Sequence, residues 1–253
     1  MNFSETLHPV DMPVNQGFLN RIQVWADERG RKYLSRGQND DPSGVMENLH
    51  EEYSFNGLLK KDGAYRFRTP REQLHFVARA RKAHLRVVPF VGVIDGDLVM
   101  PLIAGSDMKA HVNAVKNERA LLYAMRPVLN DITTAHAPTR NVVYGDRWLK
   151  NILVGRSGAI HHVDFDIEIS GPFAREYEVA QFLYSSVRDM ENKDRLLAAL
   201  SACDIRKRLK HHNVSVLSDF LGNYGSWYGH KHPDDLPQTR IVQQTIGEVL
   251  RMM

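Results

Sequence analysis

Two short apolar runs near the middle of the chain are typical of paired β-strands. Residues 151–154 and 160–163 are rich in Ile, Leu and Val, and a Gly-Arg-Ser-Gly sequence at 155–158 lies between them. Apolar segments of this length joined by a glycine-containing turn predict a β-hairpin. This hairpin is the strongest local signal in the chain.

Apolar spacing elsewhere predicts both helices and strands. Helical spacing, with apolar residues three or four apart, covers residues 17–33 (with Phe18, Ile22 and Trp25 on one face), 71–85, 109–135, 177–187 and most of 190–253, with breaks at 223–226 and 232–235. Two further hairpins are predicted around Asp62-Gly63 and around Asp95-Gly96-Asp97. The chain is therefore expected to be an α+β protein.

Residues 36–44 are dense in turn-forming residues. We interpret them as a linker. The alternative is a loop that covers a phosphate group, in which bare backbone N–H groups approach the ligand. Only two glycines occur in this stretch, which favours the linker.

Composition narrows the class of protein. The chain has 253 residues, of which 43% are hydrophobic and 25% charged, so a packed core is expected. The net charge of +3 is too small to indicate nucleic-acid binding. A single cysteine, Cys203, excludes an internal disulfide, and neither a signal peptide nor an apolar run of about 20 residues is visible. We expect a soluble cytoplasmic protein without membrane contact.

Polar residues flank the central hairpin on both sides. Asp146 and Asn151 precede its first strand, and Asp164 and Asp166 follow its second. A hairpin brings these residues to one end of a sheet. Carboxylate and amide oxygens are the ligands that Mg²⁺ prefers, and one carboxylate would remain to take a proton.

The segment also resembles a known signature. Asp146 and Asn151 have D-x-x-x-x-N spacing, and Asp164 follows Asp146 by eighteen residues. The segment 143–166 resembles the HGD…N…DFD signature of the protein-kinase-like superfamily, especially its aminoglycoside-phosphotransferase-like and bacterial RIO-like branches. This resemblance implies a two-lobed fold, with a small β-rich N-lobe at 1–105 and a larger, mostly helical C-lobe at 106–253.

The resemblance also implies ATP and Mg²⁺ as cofactors and a role for each residue of the segment. Asp146 would be the base or would orient the acceptor hydroxyl, and Asn151 and Asp164 would bind magnesium. Asp166 would help with a second ion or cap the following turn. Lys150 would neutralise the γ-phosphate or be a solvated lysine.

The N-terminal half carries the expected contacts to the nucleotide. In kinase-like folds the third strand offers a basic side chain to the phosphates, and here Arg68 or Arg66 would fill that place, with Lys60 or Lys61 as alternatives. The usual helix glutamate is missing from 71–85, where Glu72 at the start is the only acid.

The stretch at 98–105 resembles the last strand and hinge of a kinase small lobe, where backbone groups bind adenine. Met100 and Leu102 would be hinge residues. Pro101 has no N–H, so the Leu102 N–H is the expected donor. Further along, Glu178 is expected to support the catalytic loop from behind.

The acceptor is open among three hypotheses. The first is a kinase acting on a small-molecule hydroxyl, and the second is a RIO-like kinase acting on protein or tRNA. The third is a weakly active nucleotide-binding protein. The basic run Arg206-Lys207-Arg208 is a solvated helix face or, if functional, favours an anionic partner.

Overall fold

The structure is a computed structural model that describes residues 6–12, 20–38 and 43–253. Within these ranges the helices are α1 (Ser43–Phe55), α2 (Pro70–Lys82), α3 (Met108–Ala114), α4 (Glu118–Ala135), α5 (Ala174–Asp189), α6 (Lys193–Ala202), α7 (Ile205–Arg208), α8 (Val214–Lys231) and α9 (Leu236–Met252). The strands are β1 (Leu7–Val10), β2 (Asn20–Asp27), β3 (Lys32–Gln38), β4 (Ala64–Phe67), β5 (Gly92–Ile94), β6 (Asp97–Pro101), β7 (Gly105–Asp107), β8 (Ile152–Gly155), β9 (Ile160–His162) and β10 (Ile167–Ser170). The predicted mixture of helices and antiparallel strands is confirmed.

In the described part of the chain, an antiparallel sheet has the strand order β1-β2-β3-β6-β5. Tyr33, Ile94 and Val99 form a small buried cluster on it, and the Trp25 indole donates to Ser35 Oγ at 2.9 Å. The β5–β6 hairpin confirms the predicted turn around Asp95. The helix predicted over 17–33 is wrong, because β2 occupies 20–27; Phe18 lies outside the described residues.

The segment between β3 and α2 leaves this sheet and packs against the helices. Helix α1 contacts α8, and β4 pairs with β10, so that Phe67 lies opposite Ile167. The hairpin predicted over 58–68 is therefore wrong, because β4 finds its partner about one hundred residues away. Residues 39–42, within the predicted linker, lie outside the described residues; β3 ends at Gln38 and α1 begins at Ser43.

The main hydrophobic core lies between helices α4, α5, α6, α8 and α9. The helix predicted from residue 109 onwards is divided, because Asn117 caps a new helix by accepting the Ala120 N–H at 2.7 Å. Helix α8 continues through 223–226, where a break was expected, whereas the break at 232–235 is present. The helices predicted at 71–85 and 177–187 are confirmed as α2 and α5.

A second buried cluster joins helix α2 to the loop before β8. Phe76 of α2 packs edge-on against Tyr144 at 5.7 Å between ring centroids and contacts Phe165 at 5.3 Å. Helix α2 itself begins at a capping box between Thr69 and Glu72. These contacts fix α2 against the segments that carry the polar residues of the central hairpin.

Candidate active site

The loop before β8 is held by one buried carboxylate. Glu178 of α5 is fully buried and accepts the backbone N–H groups of Tyr144 and Gly145 at 2.5 and 3.1 Å. It also accepts from Arg147 Nε and Nη2 at 2.9 and 2.6 Å. Burial alone would raise the pKa of Glu178, but the charge of Arg147 and the hydrogen bond from His136 outweigh it and lower that pKa far below its usual range. The predicted supporting role of Glu178 is confirmed.

Gly145 is required by the path of this loop. Its φ of +99° lies in a region that side-chain-bearing residues rarely adopt, and a Cβ atom there would lie 2.1 Å from the Ile167 carbonyl oxygen. The loop therefore runs directly against β10. Asp146 follows with its side chain turned towards Asn151.

Asp146 and Asn151 are joined by a hydrogen bond across the turn. Asn151 Nδ2 donates to Asp146 Oδ2 at 2.7 Å and to the Asp146 carbonyl at 3.2 Å. Burial and the charge of Asp164 raise the pKa of Asp146 well above its usual range, while the charge of Lys150 lowers it. A carboxylate in such surroundings is a stronger proton acceptor than one in water.

Asp164 and Asp166 share one cation. A single amino group of Arg36, Nη2, lies 2.6 Å from Asp164 Oδ1 and 2.6 Å from Asp166 Oδ2. Burial would lower the pKa of Arg36, but the charges of Asp164, Asp166 and Asp146 raise it above its ordinary value. Asp164 has a φ of +66°, a left-handed backbone conformation shortly before strand β10 begins. Asp146, Asn151, Asp164 and Asp166 thus lie close together, beside Arg36.

Arg36 is the residue that sequence reasoning missed. It lies on β3, the third strand of the sheet, whereas the expected third strand at 64–68 is paired with β10 instead. Gln73 of α2 lines the same small cavity as Arg36 and Asp166, and its Oε1 is buried without a hydrogen-bond partner. The sequence of residues 32–37 carries no pattern that indicates this pairing or the place of Arg36 beside the aspartates.

Arg68 and Arg66 are engaged elsewhere. The Arg68 guanidinium is 4% exposed, donates to the carbonyls of Tyr144 and Phe165 at 3.0 Å each and of Ile167 at 2.6 Å, and stacks 4.3 Å from the Phe76 ring. Burial lowers its pKa to about 10. Arg68 therefore ties together the two loops of the site, and this leaves no room for the predicted grip on phosphate.

The other basic candidates also have partners of their own or lie apart. Arg66 is exposed and pairs with Glu72 at 2.8 Å and with Glu168. Lys61 pairs with Asp219 at 3.0 Å, and Lys60 lines a groove beside α1.

The expected hinge lies at the end of β6. Met100 is buried opposite Leu34 of β3. The Leu102 N–H is not the available donor that the sequence predicts, because it donates to the Lys32 carbonyl at 3.0 Å and so extends the β3–β6 pairing.

A second acid stands near Asp146 and was not anticipated. Glu52 of α1 accepts from the Tyr224 hydroxyl at 2.9 Å, and its charge contributes to the raised pKa of Asp146. Burial raises the pKa of Glu52 to about 6, against the positive charges of Arg188 and Lys150. The side chain of Lys150 is exposed.

Two histidines extend the Glu178 network into the core. His136 Nε2 lies 3.2 Å from Glu178 Oε1, and His136 Nδ1 lies 2.9 Å from His212 Nε2. Burial, with the nearby His136 and Arg175, lowers the pKa of His212 to about 4. His212 is therefore neutral in the folded protein near neutral pH.

The predicted metal ligands form a sparse donor set. In residues 6–12, 20–38 and 43–253, no group of three or more His, Cys, Asp and Glu side chains is arranged to hold a metal ion. Mg²⁺ commonly takes only one or two carboxylates from protein and completes its shell with water and phosphate oxygens. Asp164 and Asp166 fit this need, and in the structure the Arg36 guanidinium is the cation between them.

The basic run 206–208 lies on α7, away from these residues in the fold. Arg208 donates to the Cys203 carbonyl and to Asn130, while Arg206 and Lys207 are exposed. Among the helices that the structure describes, none combines the length and the apolar character needed to cross a membrane.

Comparisons with known proteins add little to this geometry. No protein-family model matches the chain, and no curated protein matches it. Among solved structures, it is similar to a Stt7 homolog from Micromonas algae soaked with ATP, with a TM-score of 0.43 and 14% sequence identity. The match covers 65% of this chain and 50% of that one, so the chain spans about half the length of that protein. This similarity is too low to establish a shared fold, and we infer function from the residues of the chain itself.

Removing the Glu178 carboxylate tests its role as the anchor of the loop. Glu178→Ala leaves the buried Arg147 guanidinium without its partner, so we expect the free energy of unfolding to fall by about 3–5 kcal/mol. Glu191→Ala, an exposed acid just beyond the same helix, is the control and should change it by less than about 0.5 kcal/mol. Urea denaturation followed by circular dichroism measures both. Equal, small losses would contradict the anchoring role.

The buried state of His212 predicts a pH dependence of stability. Its folded pKa of about 4 lies below the ordinary 6.5, so the unfolded chain takes up the proton first as the pH falls. Stability should therefore be lost between about pH 6.5 and 4. The free energy of unfolding, measured by urea titration at pH 7 and pH 5, should drop less in His212→Gln than in the wild type. An unchanged drop would show that His212 is not buried in its neutral form.

Proposed function

We propose that the protein is a kinase-like phosphotransferase that moves the γ-phosphoryl group of ATP to a hydroxyl group, with Mg²⁺ as its metal. The observation that carries this proposal is the convergence of Asp146, Asn151, Asp164 and Asp166 beside the guanidinium of Arg36. Phosphoryl transfer needs positioning and charge neutralisation more than covalent help, and these residue types supply both. The proposed lobes are residues 1–105 and 106–253, and helix α1 and strand β4 of the first pack against helix α8 and strand β10 of the second.

Asp146 is assigned to the acceptor hydroxyl. Its raised pKa supports a group that takes a proton from the hydroxyl or holds it in line for attack. The hydrogen bond from Asn151 to Oδ2 fixes the orientation of the carboxylate, and we assign the remaining oxygen, Oδ1, to the acceptor. Lys150, exposed beside this pair, is assigned to the γ-phosphate.

Asn151, Asp164 and Asp166 are the residues that would hold Mg²⁺. A bound magnesium ion would neutralise charge on the phosphate oxygens. Arg36 would also have a role in binding phosphate. With Mg²⁺ held by these residues, the planar Arg36 guanidinium would be suited to a bidentate contact with phosphate oxygens. Gln73 beside it takes the place of the missing helix glutamate, as a neutral amide partner.

The adenine contact is assigned to the backbone after β6. Met100 forms part of the buried wall behind it. Because the Leu102 N–H already donates to the Lys32 carbonyl, we assign the adenine contact to other backbone groups of residues 102–104. This reassignment keeps the hinge in the predicted place and changes only the donor.

A small-molecule acceptor is favoured over a protein or tRNA. Helix α1 brings Glu52 within electrostatic reach of Asp146, so the acceptor side of the base is bordered by an ordered helix and a carboxylate. Such a border suits a compact ligand with hydrogen-bond donors better than a polypeptide or a polyanion. Two alternatives are a RIO-like kinase acting on protein or tRNA and a weakly active nucleotide-binding protein. Activity measurements distinguish them from a kinase acting on a small molecule.

ATP turnover tests the assignment of the metal residues. With Mg²⁺ present, Asp164→Asn should lower the rate of ATP hydrolysis by at least about 10–100-fold, the loss typical of perturbed metal sites. Asp95→Asn, in an exposed turn of the β5–β6 hairpin, is the matched control and should hydrolyse ATP at the wild-type rate. Hydrolysis is measured by phosphate release. A wild type that binds ATP but releases no phosphate would favour the weakly active alternative, and equal rates in all three proteins would contradict the site.

The phosphate contact of Arg36 is tested by nucleotide binding. Arg36→Ala should weaken binding of magnesium-bound ATP by about 10–100-fold, since a hydrogen bond to a charged group contributes about 1.5–3 kcal/mol. Arg66→Ala is the control because Arg66 is exposed and paired with acids outside the site. Isothermal titration calorimetry gives both dissociation constants. A larger effect from Arg66 than from Arg36 would return the phosphate contact to the strand predicted from the sequence.

A further inference from the structure

A polar cavity of about 630 Å³ lies between α2, β10 and the first turn of α5. It is separate from the small cavity that holds Arg36 and Asp166, and its volume is in the range of pockets for small ligands. The side chains that matter for its chemistry are those of Arg68, Arg79, Asn141, Glu168, Ser170 and Arg175. Three guanidinium groups thus border one cavity.

The cavity carries a positive excess. Glu168 is its one carboxylate, and that carboxylate pairs with Arg66 and lies 4.0 Å from Arg68 Nε. The charge of Glu168 is therefore already compensated by Arg66 and Arg68. Arg79 and Arg175 remain as cations for which the structure gives no ion pair among the described residues.

The donors of these two arginines are largely available. Arg175 uses Nη1 to donate to the His136 carbonyl at 3.1 Å, which fixes the guanidinium and leaves its other N–H groups. Arg79 is exposed, and its guanidinium lies 5.8 Å from the Phe76 ring. Arginine forks at fixed positions are suited to bidentate recognition of phosphate oxygens.

The first turn of α5 adds to the same surface. The residue before the helix, Phe173, provides no side-chain cap, and Gly171, Pro172 and Ala174 line the cavity. Backbone N–H groups of an uncapped first turn and the positive end of the helix dipole favour an anion. The Ser170 hydroxyl and the Asn141 amide supply neutral donors beside them.

We propose that this cavity binds a phosphate group of a small phosphorylated compound, at a site separate from the one assigned to ATP. The volume exceeds the need of a bare inorganic ion, so the remainder of the ligand occupies the space over Asn141 and Ser170. The inference stands on the arginines and the helix terminus. It requires neither ATP turnover nor magnesium.

Binding there reaches the catalytic loop through Arg68. Arg68 lines the cavity, and the same side chain donates to the carbonyls of Tyr144, Phe165 and Ile167. An anion bound by Arg79 and Arg175 therefore lies beside the guanidinium that ties the loop of Asp146 to the loop of Asp164. The ligand would stabilise this arrangement rather than compete with ATP.

The test uses pyrophosphate as the probe, with the full-length chain in EDTA so that no metal complex forms. Isothermal titration calorimetry compares the wild type with Arg79→Ala, and with Arg71→Ala as the control, an exposed arginine on the same helix that does not line the cavity. We expect the wild type to bind, Arg79→Ala to bind at least about tenfold more weakly, and Arg71→Ala to stay within about threefold of the wild type. Arg36→Ala should retain binding, which separates this cavity from the nucleotide site.

Three results would overturn the proposal. The first is a wild type that does not bind pyrophosphate at millimolar concentration. The second is equal weakening in Arg79→Ala and Arg71→Ala, which indicates a general charge effect. The third is loss of binding in Arg36→Ala with none in Arg79→Ala, which assigns the anion to the ATP site. Because Arg79 is exposed, its substitution leaves the core intact, and a thermal melt of each variant verifies this.

Discussion

The contact between Glu178 and the loop of residues 144–147 is the constraint on which the rest of the site depends. A fully buried carboxylate is costly unless charges and hydrogen bonds compensate it, and here Arg147 and two backbone N–H groups do so. The same contacts fix the backbone just before Asp146. The cost of burying Glu178 is thus offset only when the loop adopts the conformation that positions Asp146.

A second constraint is the compensation of several acidic side chains beside this loop. Asp146, Asp164, Asp166 and Glu52 are acids in one neighbourhood, where burial raises the pKa of Asp146 and of Glu52 and the charge of Asp164 raises that of Asp146 further. Arg36 supplies the compensating cation for Asp164 and Asp166. A site that holds an internal cation between two carboxylates is prepared for exchange with a divalent ion, and this is the physical reason why we assign magnesium to it.

Sequence reasoning succeeded where the signal is local. The hairpin β8–β9 follows from two apolar runs and a short turn, and the resemblance of the chain to kinase-like proteins implied the supporting role of Glu178. It failed where a strand chooses a distant partner. Because β4 pairs with β10, Arg68 is drawn under the site as a structural clamp, and Arg36 on β3 is the arginine that lies beside Asp164 and Asp166. Glu52 was missed for the same reason, since only the packing of α1 on α8 brings it to Asp146.

A crystal structure with magnesium and a non-hydrolysable ATP analogue would show which residues contact the metal and the phosphates. We predict the metal between Asp164 and Asp166, Arg36 moved from these carboxylates to the phosphates, and the γ-phosphate facing Asp146. A nucleotide bound elsewhere, or one bound here while Arg36 still bridges both aspartates, would contradict the account.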